Sequence, residues 1–373
     1  MRRSPCGCRH TPTCEEKVVK ICDDMSNDDL IDLLLRRAAF VDRASGWISE
    51  PSLANVALAA QRQVQQDDPM RKRVAGLRGI ELASILQSQS AVCEPRHTAS
   101  NGLLFEGDCL DYLPKFKANL VDTVFADPPF NLGKTYGART DDSRADAEYV
   151  EWCQTWLREC ARVLAPGGAL FVYNLPKWSI LLGAYLMQLP GMQFRHSIAI
   201  EIKSCPPIPG RLYPAHYSLL YFTKGKPKTF RKIRTPIETC RHCGGEIRDY
   251  GGHRGAMNPL GVNLKDVWTD IPPVRHWKFK SRKRRANALS TKVLDRVVEV
   301  TTRPGDLVLD PFGGSGTTYA VCERRNRRWV GIELDHCDEI IERLRNGALE
   351  HHRNDDKIDD PQFDFPGWAS AAD

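Results

Sequence analysis

The run Val121-Asp122-Thr123-Val124-Phe125 has the apolar, β-branched make-up of a buried strand, and it halts at Asp127-Pro128-Pro129-Phe130. Proline has no amide proton to give a β-ladder and forces the residue before it towards extended geometry, so the strand cannot continue. The chain therefore presents an acid, a rigid carbonyl and an aromatic ring just past a strand's carboxyl end, the edge at which open α/β sheets bind ligands. The Asp127 carboxylate and the Pro128 carbonyl are two acceptors able to take both hydrogens of an exocyclic amino group, and Phe130 offers a face for a planar ring. An Asp that caps a following helix, with a Pro-Pro turn and a core Phe, is the alternative that four residues leave open.

A second unit near the other end of the chain supplies context. Asp306 to Asp310 reads as a short buried strand running into Pro311-Phe312-Gly313-Gly314-Ser315-Gly316-Thr317-Thr318, and Tyr319 to Glu323 reads as helix. Strand, glycine turn and helix form a nucleotide-type binding unit, because glycine lets backbone approach a ligand and a helix N-terminus favours an anionic group. The turn lacks the Gly-Lys-Ser/Thr ending of a P-loop and the spacing of the dinucleotide fingerprint. Trp329 to Glu333 then predicts a second strand, ending in an acid about 20 residues past the glycines, as suits a residue that holds ribose hydroxyls.

FADPPF, followed by DPFGGSGTT and GIE, resembles the S-adenosylmethionine-dependent DNA amino-methyltransferases of the β class. In that class the catalytic motif precedes the cofactor motif and a target-recognition region lies between them. The resemblance covers Leu103 to Arg345. It implies a doubly wound, circularly permuted Rossmann-like α/β sheet, S-adenosyl-L-methionine as cofactor, and double-stranded DNA as partner, with a cognate restriction endonuclease as a possible companion. It further implies that Asp127, Pro128, Pro129 and Phe130 are catalytic. Asp310 and the turn Phe312, Gly313, Gly314, Ser315, Gly316, Thr317 and Thr318 would hold the methionine part of the cofactor, Glu333 the ribose, and Asp108 the adenine. An acid at the first position of the catalytic motif is typical of members that modify N6 of adenine, which makes adenine the first reading and N4 of cytosine the second. A DNA-binding protein with a decayed methyltransferase fold is the competing class, and intact Asp127, Gly313, Gly316 and Glu333 argue against it.

The remaining chain divides around these motifs. Residues 1–95 read as a mostly helical accessory region, with helical patterns at Leu30 to Leu35, Ser52 to Gln66 and Val74 to Ser88. Its Cys-rich leader matches no standard zinc spacing, and Arg71, Lys72, Arg73 and Arg78 suit either a solvated face or a DNA-touching one. Cys93 to Asn101 reads as a linker. Residues 102–202 form the catalytic half: strand Leu103 to Asp108, helix Cys109 to Phe116, a mobile loop Asn131 to Asp146, helix Tyr149 to Leu164, then strands Ala169 to Tyr173 and Phe194 to Ile202. Asp108 could equally cap its helix.

Residues 203–290 are read as the target-recognition insert, with a last sheet strand near 217–223. There Arg275, Lys278, Lys280, Arg282, Lys283, Arg284 and Arg285 surround His276, Trp277 and Phe279. Such cations meet phosphates while aromatics stack on bases. Cys240 and Cys243 make half a zinc knuckle with no second pair, so no metal is expected. Residues 291–350 form the cofactor half and 351–373 an acidic tail. At Ala288 to Arg296 the β class usually carries an H-P-T-x-K-P-like segment; only Thr291 and Lys292 echo it, which leaves Lys292 without a cofactor role. No stretch reaches the roughly 18 apolar residues of a membrane span. The 13 cysteines in 373 residues, with no secretory signal, suit a reducing cytoplasm, and the resemblance implies a protein gathered at the nucleoid by its DNA.

Overall fold

The structure, a computed structural model, describes residues 80–87, 93–133, 142–202, 209–210, 212–237, 239, 252, 261–271 and 289–346. The Cys-rich leader, the helical patterns before residue 80, Cys240 and Cys243, the seven basic residues of the insert and the acidic tail lie outside them. By compactness the chain divides into two units, and the described part of the smaller one lies within residues 232–264.

The larger unit is built on a sheet of nine strands. In chain order these are β1 (His97–Thr98), β2 (Gly102–Glu106), β3 (Val121–Ala126), β4 (Leu164–Asn174), β5 (Met192–Glu201), β6 (His216–Lys224), β9 (Val267–Trp268), β10 (Leu307–Asp310) and β11 (Arg328–Glu333). In the smaller unit, β7 (Arg234–Thr235) and β8 (Val262–Asn263) form an antiparallel pair. Helices are α1 (Leu82–Ile85), α2 (Cys109–Tyr112), α3 (Asp146–Val163), α4 (Pro176–Gln188), α5 (Thr291–Thr301), α6 (Thr317–Arg324) and α7 (Cys337–Arg345).

The sheet order is β1-β2-β11-β10-β3-β4-β6-β5-β9. Strands β2, β11, β10, β3 and β4 are parallel, and β6 returns antiparallel to β4. The two last strands in the chain, β10 and β11, thus sit between the early strands β2 and β3, the permuted arrangement that the motif order implied. From the β10–β3 junction the chain winds outward in both directions, through α6 to β11 and through α3 to β4. Right-handed crossovers running in opposite senses put their helices on opposite faces. The side chains agree: Val124, Ala126, Leu170, Val172, Leu309 and Ile332 share a core with Trp156, Cys160 and Leu182 of α3 and α4. On the other face Thr123 meets Thr301 of α5, and Tyr319 of α6 stacks on Trp329 at 4.5 Å. Strands β3 and β10 are covered on both sides, which explains their unbroken apolar character.

Several expectations are corrected. The Val74 to Ser88 pattern yields, in its described part, only the four-residue α1. Leu86 is extended instead and bridges Phe116, with the Gln87 amide on the Lys115 carbonyl at 2.7 Å, so tertiary pairing overrides helical spacing. The supposed linker Cys93 to Asn101 contains β1, paired antiparallel to β2. β4 starts at Leu164 rather than Ala169 and runs through Pro166-Gly167-Gly168 with a register shift against β3. Gly167 takes φ 79° there, and a Cβ would lie 2.8 Å from the Lys228 amide nitrogen. No helix among the described residues is long and apolar enough to cross a membrane.

Candidate active site

Asp127 and Asp310 stand at the carboxyl ends of neighbouring strands, since Val124 of β3 pairs with Leu309 of β10. This is the junction from which the sheet winds both ways, the switch point at which α/β sheets open a crevice. After Ala126 the main chain is held by two helices. The Tyr149 hydroxyl of α3 donates to the Pro129 carbonyl at 2.7 Å, and the Trp178 indole N–H of α4 donates to the Phe130 carbonyl at 2.8 Å. Asp127 and the Pro128 carbonyl have no such partner among the described residues. The two acceptors singled out in the sequence are therefore the ones left unspent. Phe130 is half-buried, and its ring lies 5.9 Å from both Tyr173 and Tyr217, so it is both a packed ring and a partly open face.

The next segment is pinned at its base. Asn131 takes φ 57°, and its amide and that of Leu132 donate to the buried Asp142 carboxylate at 2.6 and 3.1 Å. Asn131 also exchanges two hydrogen bonds, each 2.8 Å, with the Arg144 backbone. Residues 134–141, with Lys134, Gly137 and Arg139, lie outside the described residues.

The glycine turn is braced from within. Asp310 is buried; its carboxylate accepts from the Phe312 amide and the Thr318 hydroxyl, at 2.9 and 2.5 Å. Glu333, at the end of β11, accepts from the amides of Gly314 at 2.6 Å, Asp335 at 2.9 Å and His336 at 3.2 Å. Arg343 of α7 donates to the Ser315 carbonyl at 3.0 Å and the Thr317 hydroxyl at 2.9 Å. Ser315 and Thr317 lie hydroxyl to hydroxyl at 3.2 Å. Gly316 begins α6 in the left-handed region at φ 75° and provides no side-chain cap for the first amides of that helix. Phe312 is wedged between Trp152 and Trp156 of α3, at 5.8 and 5.1 Å.

Asp108 lies two residues past β2, whose last residue, Glu106, pairs with Glu333. Its carboxylate caps α2 through the Leu110 amide at 2.9 Å, so the capping reading is realised whatever else it does. Lys292 is occupied away from the turn: it pairs with Asp270 at 2.8 Å beside Arg296. Burial raises the Asp270 carboxyl, but these two cations outweigh it and bring it down to about 2. Among the described residues no group of His, Cys, Asp and Glu is arranged to hold a metal.

Electrostatically the cleft is costly for negative charge. Burial, helped by the charge of Asp310, pushes the Asp127 carboxyl well above its ordinary range. Burial raises Asp310 to about 7 against the opposing hydrogen bonds from Thr318 and Phe312, with Glu333 adding to the rise. Buried thiols Cys109, Cys153, Cys160 and Cys322 are all raised by burial, which keeps them protonated and unreactive.

Sequence reasoning missed Tyr149, Asn174, Trp178, Asp142 and Arg343, each of which holds main chain at this site. Their signal lies only in tertiary contact.

The acid-Pro-Pro-Phe loop and the glycine turn thus follow neighbouring parallel strands at the switch point of an α/β sheet. Residues 121–342 match the DNA methylase family N6_N4_Mtase, and the chain belongs to that family. It is 49% identical over 277 residues to the type II methyltransferase M.BamHI of Bacillus amyloliquefaciens, covering 71% of this chain and 64% of that one. It is 32% identical over 252 residues to the type II methyltransferase M.HpaI of Haemophilus parainfluenzae, covering 66% and 74%. It is 27% identical over 248 residues to the DNA adenine methyltransferase YhdJ of Escherichia coli K12, covering 65% and 82%. The chain thus matches less than two thirds of the length of the first of these relatives.

Proposed function

We propose that this chain transfers a methyl group from S-adenosylmethionine to the exocyclic amino nitrogen of a base in double-stranded DNA. The observation that carries the reading is the pair of unspent acceptors, Asp127 and the Pro128 carbonyl, beside a glycine turn with an uncapped helix start. Amino nitrogens conjugated to a base ring are poor nucleophiles. Accepting both amino hydrogens favours a pyramidal nitrogen and stabilises the positive charge that develops on it. The nitrogen lone pair forms the N–C bond as the donor's C–S bond breaks, and one amino proton is then lost.

The residues present fit the cofactor. A Cβ on Gly314, at φ 51°, would meet nothing nearer than the Phe312 carbonyl at 3.9 Å, so the turn is open there for backbone to approach a ligand, while Gly316 is packed against Ile340. Asp310 and residues 312–318 would hold the methionine part, Glu333 the ribose and Asp108 the adenine. S-adenosylmethionine supplies the activated methyl group. Because an amino group inside a duplex is out of reach, the base must be flipped and laid against Phe130. The basic run Arg275 to Arg285 of the 203–290 insert would grip the duplex backbone, with residues 102–202 as catalytic half, 291–350 as cofactor half and residues 1–95 as accessory region. Similarity to type II methyltransferases makes a cognate restriction endonuclease the expected companion and the cytoplasm the expected place of action.

The test is incubation of the purified chain with S-adenosylmethionine and duplex DNA, followed by digestion to nucleosides and mass spectrometry. N6-methyladenine or N4-methylcytosine supports the reading and assigns the base. Tight cofactor binding with neither product would leave a DNA-binding protein that has lost its chemistry.

A further inference from the structure

Resting on that reading, we infer that Tyr149 is a positioning residue for methyl transfer: it holds the Pro129 carbonyl and thereby leaves Asp127 and the Pro128 carbonyl as the acceptors for the amino group. Five acceptors follow β3, the Asp127 carboxylate and the main-chain carbonyls of residues 127–130, and a base amino group has only two hydrogens to give. If the loop were free to rotate, any adjacent pair could meet the base, and the nitrogen lone pair would point differently each time. In the structure Tyr149 and Trp178 occupy the carbonyls of Pro129 and Phe130, so the choice is narrowed to Asp127 and the Pro128 carbonyl before a base arrives.

The hydroxyl is itself held. The Asn174 amide, fully buried at the end of β4, donates to the Tyr149 oxygen at 2.9 Å. The other end of Asn174 accepts from the Leu175 amide at 2.7 Å, which fixes which end of the amide faces Tyr149. With a donor already on its oxygen, the Tyr149 proton goes to the Pro129 carbonyl at 2.7 Å, a stronger acceptor than the Cys153 sulfur that also lies beside the hydroxyl. Burial keeps the phenol protonated far above its ordinary range, so this donor persists at every working pH. The ring is locked against Trp178 at 4.7 Å and Trp152 at 5.8 Å.

Tyr149, Trp152 and Trp156 fall on one face of α3 at helical spacing. The first touches the acceptor loop, and the other two clasp Phe312 of the glycine turn. One rigid helix therefore sets the separation between the base site and the methyl-donor site. In-line transfer is steeply sensitive to that separation, since about 1 Å of misplacement can cost on the order of a hundredfold in rate.

Tyr149→Phe keeps the ring and removes only the hydroxyl. The matched control is Tyr185→Phe, which deletes a buried hydroxyl that has no hydrogen-bond partner among the described residues. Single-turnover methylation at saturating cofactor and DNA should slow by about tenfold or more in Tyr149→Phe, with the cofactor Kd within about twofold of wild type and Tyr185→Phe at the wild-type rate. Asn174→Ala, which removes the support but leaves the Tyr149 hydroxyl, should fall between them. A full rate in Tyr149→Phe overturns the inference. So does a rate loss matched by an equal loss of cofactor affinity or of binding-competent protein, because that is damage to the fold. Wild-type protein that methylates no base sinks the proposed function, and this inference with it; an active wild type beside an unimpaired Tyr149→Phe sinks this inference alone.

Discussion

Asp310 ends the strand beside the one that delivers Asp127, and its charge adds to burial in holding the Asp127 carboxyl protonated above the ordinary range. Asp310 is itself raised to about 7. Both acids are most at ease neutral in the free protein, whereas a sulfonium donor brings positive charge that favours their ionised forms. The crevice is thus poised for a cation.

A pH dependence follows. Asp310 has a folded pKa above its unfolded value, so its contribution to stability is present in acid and is lost as pH rises through about 7. Cofactor affinity runs the other way. It should climb with pH by up to about tenfold per unit and level off above the folded pKa, because binding a cation below it must expel a proton. Calorimetric titrations across this range check it. Asp310→Asn should flatten the affinity profile, and an unchanged slope in that variant would assign the proton to another group.

Asp127→Ala removes one of the two unspent acceptors. Methyl transfer should fall by at least about a hundredfold while cofactor affinity stays close to wild type, since Asp127 is assigned to the base. Substantial turnover in this variant would take Asp127 out of the chemistry.

Gly316→Leu does the reverse. At φ 75° a branched side chain is strained, and its Cβ would press on Ile340. Cofactor affinity should drop by about tenfold or more, with the melting temperature reporting any cost to the fold separately. Unaltered affinity would mean that the turn faces something other than the cofactor.

For the basic run, changing Arg282, Lys283, Arg284 and Arg285 together to Ala separates anchoring from reading. Phosphate anchors should lower affinity for every duplex alike, with a salt slope shallower by roughly 0.9 per lost contact and the methylated sequence unchanged. Base readers would instead relax specificity at one position, at about 1–3 kcal/mol. A broadened recognition sequence at an unaltered salt slope would overturn anchoring.

What was legible in the sequence is what depends on neighbours along the chain. β3 and β10 could be read because buried parallel strands are apolar runs, and their ends because prolines and glycines stop them. The permuted order came from the resemblance, and the pairing of β11 with β2 bears it out. The braces were not legible. Tyr149 looks like any residue of an amphipathic helix, and Arg343 like an exposed cation at a helix end, yet Arg343 is buried against the glycine turn. α4, nearly apolar all round, gives no periodic signal, and β4 runs through Gly167 with a register shift that Pro166-Gly167-Gly168 does not suggest.

Strand order also governs how the protein is made. Gly102 pairs with Trp329, and Val124 with Leu309. During synthesis β2 and β3 emerge long before the strands that separate them, and both present apolar, unpaired edges in the meantime. Closure of so large a loop comes late and slowly. A nascent chain therefore has its acid-Pro-Pro-Phe loop well before it has a crevice, which can form only once the ribosome has released β11.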